Sequence, residues 1–167
     1  MGYVTRVLLP EETVVYETGL HWLVYFRAIL LLTAAAALAI GTLAATGGQI
    51  ASTGPEAALA AAALLGLVGF IALIAAAIRR ASTELAVTDQ RVIYKAGVIS
   101  RHTLEMNRSK VESVDVDQSI LGRIFGYGTV VLRGTGGSLE PMQAISDPLA
   151  FRSHITTEPV RRAATAE

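Results

Sequence analysis

The sequence predicts a membrane-spanning helical hairpin followed by a small, mainly-β domain that ends in a helix. Two long apolar stretches predict the hairpin, one from about residue 20 to 45 and one from 57 to 78. After Ser82, apolar and polar residues alternate, a period of two that is typical of half-buried strands. Asp147 followed by Pro148 then predicts the start of the closing helix, because proline is favoured in the first helical turn.

The stretch from Ala57 to Ile78 is the strongest single signal in the chain. It contains no charged, amide or hydroxyl side chain, and Arg79 and Arg80 follow it at once. At ~1.5 Å per residue it forms a helix of roughly 33 Å, enough to cross a hydrocarbon core of about 30 Å. A buried core helix is the weaker interpretation, because a chain of 167 residues does not offer a large enough core around it.

The first predicted span begins in an aromatic and basic cluster. Trp22, Tyr25 and Arg27 lie at its start, where amphipathic rings prefer the headgroup zone and an arginine side chain can extend towards water. The loop from residue 46 to 56 has no lysine or arginine, whereas basic residues flank the other ends of both spans. The positive-inside rule therefore predicts a multi-pass protein of the inner membrane with both termini in the cytoplasm.

Small residues in the second span predict a close helix contact. Ala62, Gly66 and Gly69 allow two backbones to approach each other in lipid. The contact is expected either within the hairpin or between subunits. A pore is not expected, because two spans without facing polar residues cannot line one.

These patterns divide the chain into four segments. An extended segment or hairpin is predicted for residues 1–19, because two apolar, β-branched runs are separated by Pro10 and two glutamates. The transmembrane hairpin takes residues 20–80, the mainly-β domain residues 81–158 and a tail residues 159–167. Within the domain, the last strand carries Pro141 and is therefore expected at a sheet edge.

Composition argues against several classes of function. The chain has no cysteine, which excludes disulfides and thiolate metal sites. From Arg79 onward there are twelve basic and ten acidic residues, a surplus of two that is too small to indicate nucleic-acid binding. The three histidines lack metal-ligand spacing, and no catalytic constellation is found. Gly134 to Gly137 lacks the ending of a phosphate-binding loop and is interpreted as a hairpin loop. We expect no enzyme activity, cofactor, metal or small-molecule substrate.

Several runs of residues carry a family resemblance: Thr88 to Tyr94, Gly97, Val111 to Val116 and Gln118 to Val130, with Leu8 to Glu12 and His21-Trp22 before the first span. They resemble the bacterial pleckstrin-homology-like (PH-like) domain, also called the membrane-flanked domain, in its small two-span members. The resemblance covers nearly the whole chain and is most specific from Gln118 to Val130. It implies a split seven-stranded barrel closed by a C-terminal helix, with no assigned catalysis.

Two hypotheses for function follow. The first is a scaffold whose PH-like domain binds a protein partner or its own copies at the membrane. The second is a module that senses lipid headgroups through Arg79, Arg80, Arg91 and Lys95. Phosphoinositide-binding relatives carry a basic cluster around the first hairpin of the domain. Here acidic residues accompany Arg91 and Lys95, so general attraction to anionic lipid is the form of sensing that remains.

One short turn is a candidate partner surface. Ile120, Leu121, Ile124 and Phe125 are spaced as one face of a helical turn, with Arg123 on the other side. The favoured hypothesis is that these side chains plug one mouth of the barrel, because a small barrel must fill its interior. It predicts a cost of about 3–5 kcal/mol for Phe125→Ala. The alternative is an exposed apolar patch for a partner or the membrane interface.

Overall fold

The computed structural model describes residues 3–48, 53–98, 100–135 and 139–157. The chain forms two compact units, a helical unit of Trp22–Ala81 and a sheet domain made of Met1–His21 with Ser82–Glu167. The predicted tail from 159 to 167 lies outside the described residues. So do the centre of the loop between the spans and Gly136-Gly137 of the predicted hairpin loop.

The helical unit consists of two long helices. A 3-10 turn over Trp22–Tyr25 leads into α2, Phe26–Ala45, and α3 covers Thr53–Ser82. Both are long and apolar enough to cross a membrane, and the most apolar 18-residue stretches of the two helices have mean hydropathies of 2.3 and 2.6. Only 11% of each stretch is buried. Their apolar side chains therefore point mostly outward, which suits lipid and not the interior of a soluble domain.

The contact between α2 and α3 is made by small residues. Ala62 of α3 and Ala35 of α2 are both buried. A Cβ atom on Gly66 would lie 3.7 Å from the Cβ of Ala35, and one on Gly69 would lie 3.1 Å from the Cβ of Leu31. The small residues singled out in the sequence thus lie at the contact within the hairpin, where they allow a close approach of the backbones.

The sheet domain contains seven strands in two antiparallel sheets. The first sheet has the order β1-β2-β3-β4 and the second the order β5-β6-β7. The strands are β1 Val14–Thr18, β2 Glu84–Thr88, β3 Arg91–Ala96, β4 His102–Asn107, β5 Val111–Asp117, β6 Tyr127–Gly134 and β7 Leu139–Ser146. Three helices accompany them: α1 Tyr3–Val7, α4 Ile120–Phe125 and α5 Pro148–Thr156.

The helical unit is an insertion between two neighbouring strands. β1 pairs with β2, with Thr18 opposite Leu85, although α2 and α3 separate them in sequence. The sequence-based division, in which residues 1–19 stand apart from a domain that begins at residue 81, therefore differs from the structure. β1 was not assigned to the domain because its pairing partner lies far away along the chain.

Tyr3–Val7 form a helix, α1, where the sequence predicts an extended segment. Val4 of α1 is buried with Ala86 and Ile93 on the outer face of the first sheet, and Tyr3 and Val7 pack beside it. The backbone N–H of Val4 donates to the Glu84 carboxylate, 3.1 Å away. This burial on the sheet overrides the local strand propensity of the segment, which is a weak preference of about 1 kcal/mol.

The main core lies between the two sheets and α5. Its largest fully buried side chains include Phe151 of α5, Leu85 of β2 and Leu132 of β6. α5 begins at Pro148, as predicted. Its C-terminal carbonyl groups accept hydrogen bonds from the Arg108 guanidinium, including those of His154 at 2.9 Å and Ile155 at 3.0 Å. A cation at this position also complements the helix dipole. β7, which carries Pro141, lies at a sheet edge as predicted.

Residues 3–21 joined through a short linker to residues 83–157, here called the linked domain, should fold as a soluble domain without the helices. The two ends to be joined are close, because a Cβ atom on Gly19 would lie 3.8 Å from the carbonyl oxygen of Thr83. A short Gly/Ser linker should span them. A fragment that begins at Ser82 should instead unfold at lower temperature or aggregate, since it lacks β1 and exposes Ala86 and Ile93. Circular dichroism melting and size-exclusion chromatography of both proteins test this. Equal melting temperatures would show that β1 and α1 are dispensable.

Candidate functional site

Five of the candidate membrane-interface residues lie near the start of α2 or the end of α3. Trp22 is 46% exposed and Arg27 is exposed at the start of α2. The Arg80 guanidinium lies 5.7 Å from the centre of the Tyr25 ring. The structure thus brings a residue at the end of α3 against one at the start of α2, which forms an aromatic and basic group of the kind found at membrane interfaces. Arg79 lies next to this pair in sequence and is exposed.

Arg91, another of these candidates, is the centre of a polar network within the sheet domain. Its Nε and Nη2 atoms donate to the two carboxylate oxygens of Glu12 at 2.9 and 2.8 Å. Nη1 donates to Glu105 at 2.6 Å, and Nη2 also donates to the carbonyl of Val7 at 2.7 Å. The Glu12 side chain is fully buried and that of Arg91 is 14% exposed. This bidentate pair joins the N-terminal segment to β3 and β4.

The β2–β3 turn completes the network. The Thr88 hydroxyl contacts Glu12 Oε1 at 2.7 Å and accepts the backbone N–H of Arg91 at 2.9 Å. Asp89 accepts the backbone N–H of Thr13 at 3.1 Å. Every polar atom of the buried pair therefore has a partner, which a buried ion pair requires for stability. The sequence pattern predicts only a turn at Glu12, because the partners of Glu12 lie far away along the chain and leave no local signal.

Lys95, the last of the lipid candidates, is also engaged within the domain. Its Nζ lies 3.5 Å from a carboxylate oxygen of Glu84 and 5.4 Å from the centre of the Tyr3 ring. The side chains of Lys95 and Glu84 are 14% and 19% exposed. Together with the Arg91 contacts, this occupies both cations of the first hairpin of the domain. Neither is presented to solvent as an open anion site.

The turn from Ile120 to Phe125 is exposed, so the plug hypothesis is wrong. The four apolar side chains of α4 are 79% (Ile120), 58% (Leu121), 70% (Ile124) and 47% (Phe125) exposed. The core between the sheets is filled instead by side chains from the strands and α5. We call Ile120, Leu121, Ile124 and Phe125 the α4 patch.

Glycine determines which face of α4 is buried. Gly122 is the buried residue of the helix, and a Cβ atom there would lie 2.6 Å from the carbonyl oxygen of Tyr127. Ser119 caps the first turn by accepting the backbone N–H of Gly122 at 3.0 Å. Gly126 ends the helix with a positive φ of 72°, a conformation that glycine adopts without strain. The helix therefore packs through its backbone on the small side and presents its large side chains outward.

A shallow cleft of about 560 Å³ lies beside the base of α4. Its lining includes Gln118, Ser119, Thr129 and Gln143. The Gln118 amide also donates to the carbonyl of Tyr127 at 3.1 Å. Gln118 and Ser119 of this lining are used in hydrogen bonds that hold α4 in place, and Asp117 is the one carboxylate among the described lining residues. The arrangement supports the position of α4 and contains no nucleophile with an adjacent base.

Glu12→Gln should destabilise the sheet domain by about 3 kcal/mol, because it leaves Arg91 largely buried beside a neutral group. The hydrogen bond from Arg91 lowers the pKa of Glu12 from 4.5 to about 2, against the opposing effect of burial. The contribution of the ionised carboxylate is thus fully present above pH 4.5 and is lost as the pH falls towards 2. The stability difference between parent and variant should shrink over that interval. Urea unfolding of the linked domain measures it.

The matched control is Asp115→Asn. Asp115 pairs with Arg133 at 3.2 Å, but both side chains are about half exposed. This change should cost no more than about 1 kcal/mol. Equal effects of the two substitutions would contradict a special role for the Glu12–Arg91 pair.

Gly122→Ala should cost about 1–3 kcal/mol, because its Cβ must displace the backbone of Tyr127. Ile124→Ala should change stability by no more than about 0.5 kcal/mol, because the side chain is largely exposed. Phe125→Ala should cost about 1 kcal/mol, well below the value that the plug hypothesis required. Urea unfolding of the linked domain separates these outcomes. A loss of about 3–5 kcal/mol for Phe125→Ala would show that α4 is part of the core after all.

Comparison with known proteins agrees with the fold described above. The family model described as "Bacterial PH domain" matches residues 19–159, which include both long helices and all strands from β2 to β7. No curated protein and no solved structure is similar enough to count as a match. The family match covers most of the chain and confirms the resemblance drawn from its sequence. The protein belongs to the bacterial PH domain family.

Proposed function

We propose that this protein is a non-catalytic integral membrane protein whose PH-like domain binds a protein partner, or further copies of itself, at the membrane surface. The observation that carries the proposal is the insertion of the two apolar helices between hydrogen-bonded strands. In this proposal the two sheets close as the split barrel of the family. The helices cross the inner membrane, and the domain and both termini lie in the cytoplasm, as the positive-inside rule predicts.

The insertion supports a scaffold because it ties the domain to the membrane twice. β1 is followed after Thr18 by only a few residues before the first helical turn at Trp22, and α3 ends at Ser82 just before β2 begins at Glu84. A domain joined by one flexible linker samples a large volume. Two short connections from adjacent strands restrict the domain to the surface of the bilayer. That restriction suits a protein that holds a partner at a fixed place.

The contacts of the basic residues favour a protein partner over a lipid headgroup as the ligand. A headgroup site needs cations that are free to approach phosphate. Arg91 and Lys95 instead face Glu12, Glu105 and Glu84 within the domain. Releasing either one to a lipid would leave a carboxylate without its counter-charge. Arg79 and Arg80, the other basic candidates for headgroup sensing, belong to the helical unit and not to the domain.

The test is photo-crosslinking of the full chain, purified in mild detergent, from a photoreactive residue at Thr103 or Glu112. Both positions are exposed on strands of the sheet domain. The proposal predicts a discrete adduct with a second protein or a second copy. A photoreactive residue at Leu38 of α2 serves as the control for nonspecific capture within the detergent micelle.

The same protein in nanodiscs of neutral or anionic lipid tests the alternative. Headgroup sensing would give salt-sensitive protection of β3 amides from hydrogen exchange in anionic lipid only. The proposal predicts equal exchange in both lipids. Protection of β3 without any domain adduct would overturn the scaffold in favour of sensing.

A further inference from the structure

We propose that the α4 patch inserts into the interfacial zone of the bilayer, so that the sheet domain holds the membrane through a side-chain contact as well as through its two connections. The proposal rests on the proposed function insofar as the helical pair must cross that bilayer. The occupant is the lipid surface itself.

The two connections to the helical unit leave the sheet domain at one end of its strands, where β1 ends at Thr18 and β2 begins at Glu84. We call this end of the domain the connection edge. Thr18 at the end of β1 pairs with Leu85 near the start of β2. Beyond that pair, a Cβ atom on Gly19 would lie 3.8 Å from the carbonyl oxygen of Thr83. The chain therefore leaves the domain and returns to it at adjacent points. If the helices cross a bilayer, this connection edge is the part of the domain through which the chain is attached to it.

α4 lies at the same connection edge. The His21 ring, where the chain leaves the domain, stacks on Tyr127 with ring centres 5.5 Å apart. Tyr127 directly follows the glycine that ends α4. The backbone N–H of Ser146, which pairs opposite Tyr127, donates to the carbonyl of Gly19 at 3.0 Å. Asp147 donates from its backbone N–H to the carbonyl of Gly126 at 2.9 Å. Short contacts thus join the end of α4 to the point of departure towards the membrane.

Another exposed apolar residue, outside the α4 patch, lies at this edge. Glu84 at the start of β2 is opposite Lys95, and Lys95 is opposite Thr103. β3 therefore ends and β4 begins at the same connection edge, where Val98 is 56% exposed and Arg101 is also exposed.

The chemistry of α4 matches a bilayer interface. Its exposed side chains are aliphatic or aromatic, its one charged residue is Arg123, and it contains no acidic residue. Apolar side chains beside a basic residue are typical of segments that lie in the interface, where the apolar groups enter roughly 5–10 Å and the cation meets lipid phosphate. From their exposed fractions, the four side chains offer on the order of 500 Å², less than the about 800 Å² per partner of a standard protein interface. Insertion into a lipid surface, in contrast to a standard protein interface, does not require a contact area larger than this patch.

Single-cysteine labelling of the full chain tests the proposal, because the protein contains no native cysteine. Ile124→Cys carrying an environment-sensitive fluorophore is reconstituted in nanodiscs of phosphatidylcholine and phosphatidylglycerol. We expect a blue-shifted emission that is quenched more strongly by lipids with a spin label near the headgroup than by lipids labelled deep in the acyl chain. Ile120→Asn introduced into the labelled protein should reduce both the shift and the quenching.

Two further label sites serve as controls. Gln90→Cys lies in the β2–β3 turn, at the opposite end of the first sheet, and should show neither shift nor quenching. Leu38→Cys in α2 should be quenched by the deep spin label if the helix lies in the bilayer. Loss of quenching at Leu38 would overturn the proposed function and this inference with it. Quenching at Leu38 with water-like emission at Ile124 would overturn the inference alone. A blue shift at Ile124 without lipid quenching would do the same, since it would identify a protein contact.

Discussion

The pairing of β1 with β2 is the constraint on which the rest of this structure depends. The two strands exchange backbone hydrogen bonds across an insertion of two long apolar helices. Closing so large an insertion costs conformational entropy, although this cost grows only slowly with the length of the insertion. A rigid helical hairpin reduces the entropy cost, because it returns the chain to its starting point. Because the ends of the hairpin must fit adjacent strands, the packing of α2 on α3 through Gly66 and Gly69 also serves the sheet.

The Glu12–Arg91 pair stabilises the same junction from the opposite end of β1. Glu12 precedes β1 and Arg91 begins β3, so their bidentate contact ties the outer strand to the hairpin beside it. The run Thr88-Asp89-Gln90-Arg91, part of the family resemblance, now has a physical explanation. Thr88 and Arg91 bind the buried carboxylate, and Asp89 binds the backbone of Thr13. Residues that looked available for lipid in the sequence are thus used to attach the N-terminal segment, and the desolvation cost of the pair is offset by complete hydrogen bonding.

Sequence alone predicted those features whose cause is local. The apolar stretches, the start of α5 at Pro148 and the edge position of the strand with Pro141 follow from composition and from the chemistry of proline. It failed where the cause was distant. α1 is helical because Val4 packs on Ala86 and Ile93, and Glu12 is buried because Arg91 is there. Neither contact leaves a periodic signal near the residue concerned. The α4 patch is a third kind of case, since its spacing was recognised but not the direction in which it faces.

That direction depends on Gly122. A six-residue helix with four large apolar residues would ordinarily bury them, and burial of each would contribute about 1.5–3 kcal/mol. Here the approach of Gly122 to Tyr127, the Ser119 cap and Gly126 fix the helix with the opposite face inward. Local structure therefore holds apolar side chains in a position that would be unfavourable for a domain surrounded by water. The conflict is removed if the outside of the domain is not entirely aqueous, which is the environment that two short connections to membrane-spanning helices would give it. On this view the helices and α4 are two parts of one attachment to the bilayer, and Gly122 is the residue that turns the patch outward.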